Sequence, residues 1–475
     1  MKLIKRVLLI NPPINIDKVY GNVADFSSVT APVWACYIAA LLRKEGYVVS
    51  ILDAEAERLD IDTTVKKAIE WNPDLIGFSC MTSKIAYAYK VAKIIKMRMP
   101  DVSIIAGGAH ISAIPDRTLD EFPDFDILVV GEGEITCKEL ISALNSGSDL
   151  KQVEGIAFKD KLGNKIHTLS RKRIKELDNL PSPAYDLLPE LKTHYWPYFN
   201  NIQGYPAFSL ISSRGCPHQC NFCDRKVFGN IFTKHSPKYF VNIIEDMINK
   251  YGIRYLVFDD DNILLDRKYL FGILDELFAR KIRIPFTCES RVDTVDEEKL
   301  ERLRDSGCKE IMYGIESGSP RILKLMNKGI TVDQVRHAIK LTKKYKISAL
   351  GYFMLGYPGE TEQSMQETVD FIKELKLFDI AAQPFVPFPG TDIYKHAIQN
   401  GNLEEDWEKI GNFSEMAYTP HGLSKEMIAK YLNKCYGVCY NNMRTYLTLY
   451  KRVHSWKHFK ILIKLMSSSK NIFSE

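Results

Sequence analysis

The chain has 475 residues, 45% of them hydrophobic and 26% charged, with a formal net charge of +5 at pH 7. That length holds two or three domains, each with its own core. So mild a charge excludes a strongly basic nucleic-acid binder, and no apolar run approaches the ~20 residues that cross a bilayer. The ten cysteines form no paired framework, which fits a reducing, cytoplasmic setting.

The basic start Met1–Arg6 imitates a leader peptide. The apolar run Val7–Ile10 is short, however, and Pro12-Pro13 follow it, so it reads as a first buried strand. Further strands are predicted at Val48–Leu52, Leu75–Ser79, Ser103–Ala106 and Ile127–Val130. Helical patterns fall between them at Trp34–Glu45, Thr64–Trp71, Lys84–Met97 and Glu134–Leu144. Alternation of this kind over residues 1–145 predicts an α/β domain with a doubly wound, flavodoxin-like parallel sheet.

Ligands on such sheets bind beyond the carboxyl ends of the strands. Those ends carry Asn11-Pro12-Pro13, Asp53, Ser79–Ser83, Gly107-Gly108-Ala109-His110 and Gly131-Glu132-Gly133-Glu134. Glycines let a bulky ligand approach the backbone, and the hydroxyls of Ser79, Thr82 and Ser83 can bond a polar tail. Plain tight turns with good helix caps are the alternative. No glycine fingerprint follows the first strand, which argues against a dinucleotide.

Residues 146–204 read as a connector. A small hairpin is predicted from Gly155–Phe158 to Lys165–His167, and Pro181, Pro183 and Pro189 then favour extended chain.

The strand-like run Phe208–Ser212 leads into Cys216, Cys220 and Cys223, spaced Cys-x3-Cys-x2-Cys. Three thiolates on one short loop can hold three corners of a [4Fe–4S] cube and leave its fourth iron open. Thiolates also suit zinc. A structural zinc wants a fourth protein ligand, and His218 or His235 is available, so spacing alone leaves zinc open.

Strand-like runs then recur at Tyr255–Phe258, Ile284–Thr287, Glu310–Gly314, Ala349–Leu355 and Ile380–Val386. Amphipathic stretches such as Lys238–Tyr251 and Tyr269–Arg280 separate them. Six such units predict a partial (β/α)6 barrel over residues 205–395, with its polar clusters at the carboxyl ends of the strands.

From 396 to 475 the chain is expected to be a helical extension. Basic Lys451, Arg452, Lys457, Lys460 and Lys464 lie among apolar Trp456, Phe459 and Ile461–Leu465. Such a helix can rest on a membrane surface or pack on the barrel with a solvated basic face. Cys435 and Cys439, one helical turn apart, fit a packed helix face better than a second metal site.

Residues 205–395 resemble the radical S-adenosylmethionine (SAM) superfamily. The resemblance rests on Cys216, Cys220 and Cys223 with Phe222 before the last, Asp259-Asp260-Asp261, Gly314–Ser319, Gly356–Glu360 and Pro387–Gly390. The whole layout resembles the group in which a cobalamin-binding domain precedes the barrel. Gly107-Gly108-x-His110 and Gly131-Glu132-Gly133-Glu134 are typical of that group. The Asp-x-His-x-x-Gly motif that supplies a histidine to cobalt is absent, which implies cobalamin bound without one.

The resemblance implies a [4Fe–4S] cluster on Cys216, Cys220 and Cys223, with SAM on its open iron. Phe222 and the strand end at Pro387 and Pro389 would border the adenine. Glu316 would contact the SAM ribose or amine, and Asp259 and Asp260 the methionyl amine. Arg291 would meet the SAM carboxylate, or else pair with Asp293 or Glu289. The Gly356–Gly359 loop would contribute backbone contacts, with Glu360 a helix-start residue. Cobalamin would touch Ser79, Thr82, Ser83, Gly107, Gly108, His110, Gly131, Glu132 and Gly133.

The implied activity is reductive cleavage of SAM to a 5′-deoxyadenosyl radical and methylation of an unactivated carbon. A radical cyclase similar to the anaerobic Mg-protoporphyrin monomethyl ester cyclase is the enzymatic alternative. A non-catalytic cobalamin sensor or carrier is the alternative of another class. A methylthiotransferase is disfavoured, because the amino-terminal domain lacks a second three-cysteine cluster. The implied partners are a small-molecule substrate and a reductant such as flavodoxin or ferredoxin, with no nucleic acid.

Overall fold

A computed structural model describes residues 3–16, 19, 28–196, 205–411 and 416–440. The amino-terminal sheet is built on β1 (Arg6–Asn11), β2 (Val48–Asp53), β3 (Leu75–Ser79), β4 (Ser103–Gly107) and β5 (Ile127–Val129). These lie parallel in the order β2-β1-β3-β4-β5. Their side chains are buried on both faces because helices cover both, as their near-continuous apolar sequences require. Local signals set the helix starts: Asp60, for example, accepts from Thr63 N to cap Ile61–Trp71.

The expected hairpin forms as β6 (Ile156–Lys159) and β7 (Lys165–His167). Asp160 Oδ1 closes its turn by accepting from the amides of Leu162 (2.9 Å) and Asn164 (2.8 Å). The hairpin joins β5 antiparallel, so the sheet has seven strands.

The second sheet has six parallel strands in the order β8-β11-β12-β13-β14-β15. They are β8 (Ala207–Leu210), β11 (Tyr255–Phe258), β12 (Phe286–Ser290), β13 (Cys308–Glu316), β14 (Ser348–Leu355) and β15 (Asp379–Pro384). With β8 and β15 at its two edges the barrel is open. β12 begins two residues later than its apolar run suggests. Pro285 has no N–H to give the ladder, and offers only its carbonyl, to Leu256 N (3.1 Å). Between β8 and β11, the short antiparallel pair β9 (Ser213–Arg214) and β10 (Thr233–Lys234) closes the cysteine-bearing loop at its root.

One hydrophobic cluster runs without a break through both sheets. Val7, Leu9 and Leu140 belong to it, as do Tyr185 of the connector and Phe208, Phe258 and Ile311 of the barrel. The opposite face of the amino-terminal sheet has its own cluster around Leu8, Ile10, Ile76 and Ile104. Ile410 and Ala417, from beyond the barrel, are buried in that second cluster.

The carboxyl-terminal extension is therefore not simply helical. It includes an antiparallel pair, β16 (Gly401–Leu403) and β17 (Tyr418–Pro420), and a strap that returns to the amino-terminal domain. Arg117 holds the strap through Glu405 (2.8 Å) and stacks on Trp407 at 4.6 Å, while the Trp407 indole donates to Glu121. The helix Lys425–Tyr440 follows, with Cys435 and Cys439 buried in the core, matching a packed helix face. The basic stretch 451–465 lies outside the described residues. Among the described residues no helix is long and apolar enough to cross a membrane.

Candidate active site

The cysteine loop departs from β9 through Gly215, whose φ is +81°. A Cβ there would stand 2.4 Å from Ile231 O, so only glycine fits. The turn after the helix Pro320–Leu325 braces the loop from beside it. Met326 O accepts from Asn221 N (2.9 Å), Leu325 O from Asn221 Nδ2 (3.0 Å), and Asn327 Nδ2 donates to Gln219 O (2.7 Å).

Cys220 is buried, with Arg291 Nη1 3.7 Å from its sulfur. Burial and then the Asp261 carboxylate push the Cys223 thiol up to about 12, and burial also raises Cys216. The neighbouring Cys220 adds to the rise at both. Iron would reverse that bias by taking them as thiolates.

The donor set suits a cluster better than one zinc ion. Among the described residues no three His, Cys, Asp or Glu side chains converge on a single point. A cube needs no such convergence, because each sulfur serves a different iron. His235 is not a spare ligand. Its Nε2 bonds Tyr37 Oη (2.8 Å), its Nδ1 bonds Asp178 (3.1 Å), and its ring stacks on Tyr239 at 4.2 Å.

A cavity of about 640 Å³ lies where the carboxyl ends of the two sheets meet. Asn11, Ser79, Gly107, Gly108 and Gly131 line it from β1, β3, β4 and β5; Ser209, Ile211, Asp259 and Asp261 line it from β8 and β11. Gly131 has nothing within 4 Å of where a Cβ would stand, so its backbone is bare to this space. Gly108 (φ +100°) lies so close to Cys80 that a Cβ would meet its amide nitrogen at 2.8 Å. Gly131 thus offers bare backbone to the cavity, while Gly107 and Gly108 are fixed by close packing on Val129 and on Ser79 and Cys80.

Several expected contacts fall elsewhere. His110 is fully buried behind the cavity wall, with Nδ1 3.3 Å from Thr82 Oγ1 and its ring edge-on to Trp407 at 4.7 Å. Burial lowers it to about 4, so it is a neutral core residue. Thr82 is committed to it, and Ser83 lies under Gly411 of the strap. Met81 and Lys84 of the same loop line the cavity in their place. Gly133 lines it too.

Glu132 also lines the cavity, but both its oxygens are taken. Oε1 accepts from Arg214 Nη1 (2.9 Å), and Oε2 faces Arg173 Nε (3.0 Å) and accepts from Ile174 N (2.8 Å).

On the barrel side Asp260 is fully buried and braces the root of the cysteine loop. Its Oδ1 accepts from Ser212 N (3.0 Å), Ser212 Oγ (2.8 Å) and Ser213 Oγ. That commitment leaves Asp259 and Asp261 as the carboxylates facing the cavity. Burial raises the Asp259 pKa, and that of Glu289, which accepts from Tyr352 Oη (3.0 Å).

Arg291 pairs with Asp293 through two 2.9 Å bonds. Glu316 stands at φ +70° in a bulge of β13, and its Oε1 accepts from Lys328 Nζ (2.7 Å). Lys328 lies 5.6 Å above the Phe222 ring. Sequence reasoning passed over Lys328, which has no motif of its own. Gly356 N donates to Glu360, which also accepts from Tyr357 N (3.2 Å), so that amide is spent on closing its own turn. Pro387 and Pro389 are buried, and the adjoining Gly390 is wedged between Ala113 and the cysteine loop at Asp224 and Lys226.

The fold and site thus define a two-domain protein with a three-thiol loop rooted beside a cavity that the strand ends of both sheets line. The family model of the Radical SAM superfamily matches residues 210–372, and that of the B12 binding domain matches residues 20–141. An uncharacterized methyltransferase of Pyrococcus horikoshii is 34% identical over 440 residues, covering 92% of each chain. The anaerobic magnesium-protoporphyrin IX monomethyl ester cyclase of Rubrivivax gelatinosus is 28% identical over 396 residues, covering 82% of this chain and 69% of the cyclase. Among solved structures, the cobalamin-dependent SAM radical enzyme OxsB with aqua-cobalamin bound superposes with a TM-score of 0.75 at 19% identity, covering 98% of this chain and 71% of that one. The chain belongs to the radical SAM superfamily, in the group of enzymes that carry a B12-binding domain ahead of the barrel.

Proposed function

We propose that this enzyme methylates an unactivated carbon of a small-molecule substrate. The observation that carries the reading is the single cavity onto which both sets of strand ends open, with Gly107, Gly108 and Gly131 on one side and Val227 and Phe228, of the loop that carries the three cysteines, on the other. Bound there, the cluster with SAM would supply a carbon-centred radical, and cobalamin would supply a transferable methyl group.

The protein's part is to hold, orient and shield. Cys216, Cys220 and Cys223 hold the cluster, with the Arg291 guanidinium against Cys220 offsetting its negative charge. Phe222, Lys328 and Glu316 form one wall of the SAM site, and Asp259 or Asp261 takes the methionyl amine. Gly107, Gly108 and Gly131 admit the corrin, and the apolar side chains of Trp34, Ile38 and Met81 keep water from the reacting centre. A protein reductant such as flavodoxin or ferredoxin would deliver the electron.

Cyclisation is the second reading, favoured by the 28% identical cyclase relative. Methylation ranks first because the relative named a methyltransferase is nearer and aligns over almost its whole length. The test is anaerobic reconstitution with iron, sulfide and hydroxocobalamin, followed by SAM and dithionite. We expect 5′-deoxyadenosine and S-adenosylhomocysteine, both falling to background when any one of the three cysteines becomes alanine. A fully loaded, reduced protein that yields no 5′-deoxyadenosine would point to a sensor or carrier. 5′-Deoxyadenosine without S-adenosylhomocysteine would point to the cyclase.

A further inference from the structure

Arg214 sits two residues before Cys216, at the root of the cysteine loop, and its guanidinium is buried. Its two terminal nitrogens reach different carboxylates of the cavity loop after β5: Nη1 to Glu132 (2.9 Å) and Nη2 to Glu134 (2.6 Å). The side chains of all three are less than a tenth exposed. The guanidinium also lies 5.2 Å from the Tyr37 ring on the amino-terminal domain and 5.7 Å from the Phe228 ring on the cysteine loop. Burial opposes the charge, yet Glu134 and Glu132 outweigh it and keep the guanidinium protonated.

A buried ion network of this kind is weak evidence for stability, since well-packed apolar residues can do as well. Its distinctive property is geometric. A planar fork bridging two carboxylates fixes distance and angle together, which a single ammonium cannot do. Here the fork joins the loop that carries Gly131 and Gly133 to the loop that carries the cluster ligands.

We propose that Arg214 is a positioning residue that registers the cobalamin-binding loop against the cluster loop and so fixes the separation of the two cofactors. The proposal rests on the reading that both cofactors share this cavity. Arg214 borders the cavity, and its positioning effect runs through Glu132, Glu134 and the backbone leading to Cys216.

The test uses the full chain, wild type and the variants Arg214→Lys and Glu134→Gln, reconstituted with iron and sulfide and loaded with cob(II)alamin. Iron and sulfide content is measured first, and dipolar EPR then reads the distance between the reduced cluster and cob(II)alamin. We expect iron content close to wild type in both variants, one narrow distance in the wild type, and a broadened or displaced distribution in both variants. A narrow, unshifted distance in Arg214→Lys would overturn the proposal, since a lysine restores charge but not the fork. So would loss of iron in both variants, which would make the network merely structural.

Should the wild type take up iron but no cob(II)alamin, the cobalamin reading itself fails. The clamp is then decided by hydrogen–deuterium exchange on the cofactor-free chain. Arg214→Lys must raise exchange in residues 131–134 and in 216–223 together, by at least about fivefold. A rise confined to one of the two loops refutes it.

Discussion

Lys328 shows what a single buried charge does in this site. Its ammonium and the Glu316 carboxylate are 2.7 Å apart, with side chains only 7% and 10% exposed. Removing one partner leaves the other charge buried alone, which costs about 3–5 kcal/mol. We therefore expect Lys328→Met to lower the midpoint of urea unfolding, and the double variant Lys328→Met/Glu316→Gln to recover more than half of the loss. If the single variant is as stable as the wild type, the pair is not a buried ion pair. Glu316 was legible as a candidate because it lies in Gly-Ile-Glu-Ser-Gly-Ser after a strand. Lys328 was not, because a lone lysine in a helix-following turn is usually solvated.

At the scale of elements, the turn 356–360 shows how a helix-start carboxylate is buried. Glu360 is buried, accepts two backbone amides and closes the turn ahead of the helix Glu362–Leu375, which Thr361 caps with Ser364 in a capping box. Burial raises its carboxyl to about 7 against an ordinary 4.5. The folded state then holds a proton that the unfolded state has released over that window. The stability due to this proton is complete below the unfolded pKa and is lost as pH rises through about 7. Glu360→Gln keeps an acceptor and cannot ionise. Its stability relative to wild type is expected to rise by about 1–3 kcal/mol between about pH 5 and pH 8, read by chemical denaturation at both values. A constant difference across that range would mean that Glu360 titrates normally.

The cysteine loop was legible for a different reason. Its three ligands fall within eight residues, so spacing alone carries the signal. The cobalamin-side loops were read less well. Ser79, Gly107 and Gly108 line the cavity, whereas His110 and Thr82 turn into the core and Glu132 turns to Arg214. Position after a strand says that a residue is near the rim. It does not say which way its side chain points.

For the whole molecule, the hydrophobic cluster that runs from Val7 through Tyr185 to Ile311 ties the two sheets into one cooperative body. The strap through Trp407 and the salt bridges of Arg214 and Arg173 add further joins. Unfolding of the cofactor-free chain is expected to give one calorimetric transition, with its calorimetric and van't Hoff enthalpies equal. Hydroxocobalamin at about 100 times its Kd would move the whole transition up by about 2.7 kcal/mol of added stability. Two resolved transitions, with only the earlier one responding to cobalamin, would show that the domains melt apart.

The alternation of strand and helix, the parallel order of both sheets and the thiolate trio could be read from the chain itself, because periodicity and ligand spacing are properties of neighbouring residues. The facing of the two rims could not, nor could the pairing of Arg214 with Glu132 and Glu134 across 82 and 80 residues of sequence. Those contacts arise only when two separately legible domains dock, and burial then decides which carboxylates meet a guanidinium and which are left to face the cavity.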